Sequence, residues 1–165
     1  MKSLVVIIAV FMSASVFAQE AGDKAAGGSL NYGSGDGWSS IGIGAKFRYN
    51  VTSPIRLEGV FTYFLKKDYV SMWDFSVNAH YLFKAGEKLT VYPLAGLGLS
   101  KATASASGEY MGYDYNVSAS ASEFGLNLGG GLDYDLSENM VGNVELRYGT
   151  GSELIILSAG VVFKF

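Results

Sequence analysis

Hydrophobic and polar residues alternate along most of this chain, and turn-forming residues separate the alternating stretches. Between residues 41 and 51 every second side chain is apolar or small, while the intervening residues are glycine, charged or amide. Similar alternation recurs at residues 55–65, 73–83, 91–99, 124–136, 144–148 and 154–165. Because successive side chains of a strand point to opposite faces, the pattern predicts an all-β fold with one apolar face per strand.

A less regular stretch at residues 29–33 brings the number of predicted strands to eight. An even number of antiparallel strands brings both chain ends to the same end of a closed sheet. Short turns are expected at that end, near residues 52–54, 85–88 and 137–139. The other end is expected to carry short links at residues 35–37, 66–68 and 150–152 and one long connection at residues 101–122. Residues 29–165 are therefore predicted to form an eight-stranded antiparallel up-and-down β-barrel.

Alternation alone would also suit a soluble barrel of the lipocalin type, whose apolar face points inward. The distribution of aromatic residues separates the two, because Tyr and Trp favour membrane–water boundaries and aliphatic side chains favour hydrocarbon. Aromatic residues of the apolar faces lie near the strand ends, at Phe47, Tyr49, Tyr81, Phe83, Tyr134, Phe163 and Phe165 on one side and Tyr63, Trp73, Phe75, Phe124 and Tyr148 on the other. Residues such as Val77 and Ala95 lie between them. The sequence thus predicts a transmembrane barrel with its apolar face outward.

The polar faces carry most of the ionisable residues of the predicted strands. A basic side chain in lipid near the bilayer midplane costs about 2–4 kcal/mol, so these residues are expected to face the lumen. The predicted lumenal polar network consists of Lys46, Arg48, Arg56, Glu58, His80, Asp133, Glu145 and Arg147. An eight-stranded barrel is barely wide enough for its own side chains, which favours a plugged lumen. A gated ion path through the same residues is the alternative.

The first residues predict export. Residues 1–18 combine a basic start, an apolar run and small residues before a cleavage point after Ala18, as in a signal peptide. Residues 19–28 are predicted to be a flexible periplasmic leader. The chain has no Cys, which removes disulfides and thiolate metal sites, and no cofactor or metal is expected. A net charge of −3 gives no reason to expect nucleic acid as a partner.

The alternating strands, the glycine-rich segments at residues 96–99 and 129–134, and the last strand at residues 157–165 resemble the small OmpA/OmpX-like outer-membrane β-barrel family. The resemblance implies a Gram-negative outer membrane and contact with its lipid. It also implies that the terminal aromatics, Phe163 and Phe165, form the signal read by the barrel-assembly machinery during insertion. Members of the family serve as structural anchors, adhesins, complement-evasion proteins or weak porins.

Other candidate chemistry is sparse. The Gly-x-Gly runs at Gly42/Gly44 and Gly96/Gly98 open no predicted helix, so they are interpreted as lumenal glycines that leave room for neighbouring side chains. His80 is the only histidine, and its position in the periplasmic half argues against catalysis. In the long connection, Tyr110, Tyr113 and Tyr115 form a candidate surface for an extracellular ligand.

The leading hypothesis for function is a non-enzymatic envelope component with a structural or surface-interaction role. A narrow channel for ions or small solutes is the second hypothesis. A lipid-modifying outer-membrane enzyme is the third.

Overall fold

The computed structural model describes residues 21–165, except residues 111 and 112 and the side chains of residues 107–115. The predicted signal peptide, residues 1–18, lies outside the described residues. The strands are β1 (Lys24–Gly35), β2 (Trp38–Thr52), β3 (Ile55–Lys67), β4 (Val70–Tyr81), β5 (Phe83–Lys84), β6 (Leu89–Tyr110), β7 (Tyr113–Asp135), β8 (Met140–Gly149) and β9 (Leu154–Lys164). Short turns join most of them, at the positions that the turn residues predict.

The strands close into a single antiparallel barrel. Consecutive strands pair with each other, except β4 with β5, and β1 also pairs with β9 from Ala25↔Lys164 to Ser34↔Ile155. Strands β4 and β5 both pair with β6 and are separated only at Leu82, whose N–H donates to the carbonyl of Pro54. Strands β4 and β5 are therefore two parts of one interrupted strand of the barrel. Counted in this way, the barrel has eight strands, which confirms the predicted fold class.

The first strand begins earlier than predicted. Residues 24–28 pair with both β2 and β9, so they belong to the barrel wall and not to a flexible leader. The Ala and Gly residues at positions 25–28 have weak β-propensity, which is why the sequence suggested a leader there. Pairing on both sides overrides that weak local preference.

The long predicted connection at residues 101–122 is also largely strand. Strands β6 and β7 remain paired as far as Tyr110↔Tyr113. The Ala/Ser alternation of this segment continues the period of two, and the structure follows it. The predicted loop is therefore a long β-hairpin.

The two faces of the wall differ sharply in burial. Outward side chains such as Leu30, Ile43 and Leu128 are exposed, while nearly all buried polar and charged residues point inward. Buried apolar side chains form three small clusters inside the barrel, built around Val141 and Val162, around Phe64 and Ile156, and around Leu82, Tyr92 and Leu94. No helix in the described part of the chain is long and apolar enough to span a membrane.

Candidate functional site

The eight residues predicted to line the lumen all point into it and are all buried, each at most 3% exposed. The alternation in β2, β3, β4, β7 and β8 explains this directly, since each residue lies at an inward position of its strand. Seven of the eight contact one another in one network. Arg147 instead belongs to a second group of contacts, nearer the end of the barrel that carries the long hairpin.

Asp133 lies between two guanidinium groups. Arg48 Nη1 donates to both carboxylate oxygens at 3.2 Å, and Arg56 Nη1 donates to Oδ2 at 2.7 Å. Arg48 also donates through Nε to Glu58 Oε2. These contacts join β2 and β3 to β7, on a separate part of the wall, with charge-assisted hydrogen bonds.

His80 is held between an arginine and an aromatic ring. Its imidazole stacks on Tyr92, with ring centroids 4.4 Å apart and planes 9° from parallel. The Arg56 guanidinium carbon lies 4.8 Å from the centroid of the same ring. Arg56 Nε and Nη2 lie 3.2 and 3.0 Å from His80 Nδ1. Because a guanidinium can only donate, Nδ1 accepts and the ring proton resides on Nε2.

Lys46 and Glu145 complete the network. Lys46 Nζ lies 4.0 Å from Glu58 Oε1 and 3.8 Å from Glu145 Oε1. The Tyr92 hydroxyl donates to Glu145 Oε2 at 3.1 Å. With its amide oriented to suit its neighbours, Asn143 accepts from Arg48 Nη2 at 2.8 Å and from Lys46 Nζ at 3.1 Å.

Asp74 is a network residue that the sequence reasoning left out. It accepts from Arg147 Nη2 at 2.7 Å, from Ser76 at 2.9 Å and from Ser100 at 3.0 Å. Its place beside Ser76 on the polar face of β4 was the available signal. Among the described residues, the buried charges are then four basic (Lys46, Arg48, Arg56, Arg147) and four acidic (Glu58, Asp74, Asp133, Glu145). The lumen is formally balanced, apart from His80.

Tyr92 is the second residue that was missed, because aromatic residues were assigned to the outer face. Tyr92 lies at an inward-facing position of β6, beside the charged side chains of the lumen. Gly131, which pairs with it on β7, leaves room for the ring. A Cβ on Gly131 would lie 2.6 Å from the Tyr92 hydroxyl. Similarly, a Cβ on Gly98 would lie 2.9 Å from Asn127 Oδ1. These lumenal glycines therefore leave space for neighbouring polar side chains, as the sequence predicted.

Apolar side chains and small recesses mark the two ends of the lumen. At the hairpin end, Phe64, Leu154 and Ile156 pack with Trp38 and Met72. A recess of about 170 Å³, including the solvent at its mouth, lies beside them and contains Asp74, Ser100 and Asn127. At the end with the chain termini, a recess of about 280 Å³, again including mouth solvent, is lined by residues such as Arg48, Arg56 and Val162.

One group in the described part of the chain brings three potential metal ligands together. Atoms of Glu58, His80 and Glu145 lie within 4.8 Å of one another. Carboxylate oxygen and imidazole nitrogen are ligands that Zn²⁺ accepts. Imidazole must supply a lone pair to bind a metal, however, and the contacts of Arg56 place the proton on Nε2. The trio therefore does not suit a metal ion.

Strands β6 and β7 extend beyond the end of β8 as a ribbon, residues 101–126, in which β6 remains paired with β4 up to Ala104 and the hairpin is two-stranded from there to its tip. Strand β7 pairs with β8 only as far as Asn127↔Gly149, and β6 pairs with β4 only as far as Ala104↔Val70. The cross-strand pair at the ribbon tip is Tyr110↔Tyr113. The side chains of Tyr110, Tyr113 and Tyr115, the predicted binding surface, lie outside the described residues.

The polarity of the two faces reverses where the ribbon begins. On the outward face, Leu99 and Phe124 form the last apolar pair, and Lys101↔Ser122 follows directly. Further polar pairs on that face are Thr103↔Ser120 and Ser105↔Ser118. The opposite face, which is polar within the barrel, carries the pairs Ala102↔Ala121, Ala104↔Ala119 and Ala106↔Val117. The apolar belt of the barrel therefore ends between residues 99 and 101 on this side.

One edge of the ribbon is unpaired. Leu126 exchanges hydrogen bonds with Thr150 on the β8 side. Because backbone groups alternate in direction along a strand, those of Phe124, Ser122, Ser120 and Ser118 point to that side as well. Within the described part of the chain, no strand pairs with this edge.

Comparison with known proteins decides the family. The family model described as the outer membrane protein beta-barrel domain matches residues 4–165. The chain belongs to this family. No curated protein sequence matches the chain.

Solved outer-membrane barrels share the fold of this family member at low sequence identity. Ail, the attachment invasion locus protein of Yersinia pestis, is 23% identical, covers 88% of this chain and 99% of its own, and has a TM-score of 0.59. Neisserial surface protein A is 20% identical, with coverages of 87% and 96% and a TM-score of 0.60. OprG from Pseudomonas aeruginosa is 13% identical, with coverages of 90% and 98% and a TM-score of 0.66.

Membership of the outer membrane beta-barrel family defines the environment of the outward face. The protein lies in the bacterial outer membrane, as predicted. Phe163 and Phe165 lie on this face near the terminal end of the barrel, and both are exposed. In outer-membrane barrels the short turns are periplasmic and the longer connections are extracellular, so we expect the ribbon on the extracellular side.

Proposed function

We propose that the protein is a non-enzymatic outer-membrane component with a plugged lumen, whose extracellular ribbon carries a surface interaction. The plugged lumen is supported by the balanced set of eight buried charges, which contact one another directly across the lumen. A hydrated ion would have to displace these contacts, with apolar side chains beside them at each end. Such a barrel anchors the ribbon and transports nothing.

The contacts of His80 support the absence of enzymatic activity. A histidine that acts as a general base needs a nitrogen lone pair directed at its substrate. Arg56 occupies Nδ1, the Tyr92 ring covers one face, and Nε2 points towards Glu58 inside the barrel. The only histidine of the chain is therefore engaged in structure.

Conductance measurements test the plugged lumen. Protein purified from outer membranes and inserted into planar bilayers is expected to produce no single-channel steps, while an open porin inserted in the same way does. Insertion is verified by heat-modifiable migration in gels. Stable steps whose size changes in Arg48→Ala would contradict the proposal and favour the channel hypothesis.

The free edge of β7 supports the proposed surface interaction. An exposed strand edge offers a row of backbone donors and acceptors to which an extended segment of another protein can add as a further strand. The residues along this edge are small, since Ser118, Ser120 and Ser122 alternate with alanines, so a partner strand can approach without steric hindrance. The structure of Ail in complex with the heparin analogue sucrose octasulfate further supports a ligand-binding role for a barrel of this shape.

Variants of Ser120 test the interaction at this edge. Ser120→Pro removes one N–H from the free edge, where proline is tolerated, while Ser120→Ala retains it. Cells that produce Ser120→Pro are expected to attach less well to host or bacterial surfaces than cells that produce Ser120→Ala, at equal surface amounts. Equal attachment of these two variants and a ribbon-free variant would remove the surface-interaction role.

A further inference from the structure

Four polar groups surround one point in the middle of the lumen. Glu58 Oε1 lies 3.8 Å from His80 Nε2 and 4.0 Å from Lys46 Nζ, and Lys46 Nζ lies 3.8 Å from Glu145 Oε1. Glu58 and His80 are almost completely buried. Glu58 Oε1 and His80 Nε2 nevertheless make no direct hydrogen bond within the described structure. Buried polar atoms are nearly always hydrogen-bonded, so these two atoms require a partner.

The hydrogen-bonding characters of the four groups are complementary. His80 Nε2 carries its proton, because Nδ1 accepts from Arg56, and Lys46 supplies a second donor. Glu58 Oε1 and Glu145 Oε1 are acceptors. The point is therefore faced by two donors and two acceptors.

We propose that this point is a binding site for one water molecule, which accepts from His80 and Lys46 and donates to Glu58 and Glu145. Tetrahedral partners at about 2.8 Å from a water oxygen lie roughly 4.6 Å from one another. The atom pairs given above are 3.8–4.0 Å apart, which corresponds to angles of roughly 85–90° at a water oxygen that lies about 2.8 Å from each atom. One ligand atom from each of Glu58, His80 and Glu145 also lies within 4.8 Å of the other two, so a single water can reach all three residues. Buried waters in proteins satisfy two to four otherwise unpaired groups in this way.

The charges of the site favour water over a cation. Glu58 and Glu145 already face Lys46, and Arg48 contacts Glu58 directly. A divalent ion would add two positive charges to a lumen whose formal charges are balanced. A neutral molecule that both donates and accepts leaves that balance unchanged.

The proposed water has a structural consequence. Its four partners come from β2, β3, β4 and β8, so it connects the β2–β4 side of the barrel with β8. It also adds a second shared donor to the carboxylates of Glu58 and Glu145, both of which face Lys46 Nζ. This role is independent of the ribbon and of any surface partner.

The single histidine makes the site directly observable. In protein labelled with ¹⁵N-histidine and reconstituted in lipid nanodiscs, every imidazole signal comes from His80. We expect the tautomer protonated at Nε2, with a magnetisation-transfer signal between that proton and a long-lived water. The opposite tautomer, or a protonated Nε2 with no transfer from water, would overturn the proposal.

Two further experiments distinguish a bound water from a bound metal ion and test the proposed contact with Glu145. Zn²⁺ added to the wild-type protein is expected to leave both ring nitrogen signals unchanged, and a shift that EDTA reverses would establish a metal site instead. Glu145→Gln retains an acceptor and is expected to keep the water signal, while Glu145→Leu is expected to lose it. Retention of the signal in Glu145→Leu, in protein that passes the heat-modifiable gel test, would contradict the proposed geometry. The wild-type measurements stand even if Glu145→Leu does not fold.

Discussion

At the scale of single residues, the stability of the barrel depends on lumenal carboxylates that neutralise several cations at once. Asp133 is the clearest case, because Arg48 and Arg56 both donate to it and all three residues are at most 3% exposed. Removing one partner of a buried ion pair leaves an uncompensated charge, which typically costs about 3–5 kcal/mol. Asp133→Ala is therefore expected to lower the free energy of unfolding by about that amount, measured by urea unfolding from lipid vesicles.

Asp135 provides the matched control, since it lies two residues further along the same strand and also contacts basic side chains. The side chains of Asp135 and of its partners Lys84 and Lys164 are 22–28% exposed, so these contacts are partly open to solvent. Solvent-exposed ion pairs contribute at most about 1 kcal/mol, so Asp135→Ala is expected to change stability little. Equal losses for the two variants would show that the lumenal network has no special energetic role.

Sequence alone located the lumenal residues but not their partners. Strict alternation assigned Lys46, Glu58 and Glu145 to the inner face because each strand has only two faces. It could not show that Arg147 reaches Asp74, since contacts across a lumen depend on strand register and side-chain length. Tyr92 was not predicted, because aromatic residues commonly lie at the lipid boundary. The alternation of β6 nevertheless places residue 92 on the inner face.

At the scale of strands, the ribbon is expected to be the least protected part of the sheet. Two-stranded hairpins are marginally stable alone, whereas the barrel strands are paired on both sides. Backbone amides of residues 116–122 should therefore exchange with solvent much faster than those of residues 94–99, measured by mass spectrometry of the reconstituted protein. Equal protection in both segments would indicate that the free edge is covered by another strand.

The last strand supports a separate prediction about assembly. If Phe165 belongs to an assembly signal, Phe165→Ser is expected to reduce the folded fraction in outer membranes while leaving refolding of purified protein in detergent unchanged. Phe47→Ser is the control, because Phe47 is also an exposed outward aromatic. It pairs across Ala26 with the level of Phe163, two residues before Phe165. Similar losses in cells for both variants would reduce the role of Phe165 to lipid contact.

The ends of the strands are predicted less accurately than their centres by the alternation of apolar and polar residues. Alternating large and polar residues defined β2, β3 and β4 well, because their two faces differ strongly. Residues 25–28 are all Ala or Gly and carry little contrast between faces, so the start of β1 was placed too late. Residues 102–107 and 117–122 alternate Ala or Val with Ser or Thr, a period of two that suits paired strands, but this pattern does not reveal that β7 lacks a neighbour there.

At the scale of the whole molecule, the environments on the two sides of the barrel wall explain which residues face outward and which face inward. We expect lipid to select the apolar outward face, and the proposed plugged lumen accounts for the balanced charges inside. Polarity on the outward face reverses between Leu99 and Lys101, and we expect the lipid to end at that level. The barrel and its membrane position therefore follow from the same alternating pattern.

The most direct test of this account is a spin-label scan of the outward face, since the chain contains no Cys and single substitutions give unambiguous sites. Labels at Leu97→Cys and Leu99→Cys are expected to be accessible to oxygen dissolved in lipid and protected from a water-soluble nickel complex. Labels at Thr103→Cys and Ser105→Cys are expected to show the reverse. Nickel access at all four positions would contradict a barrel whose apolar face meets lipid.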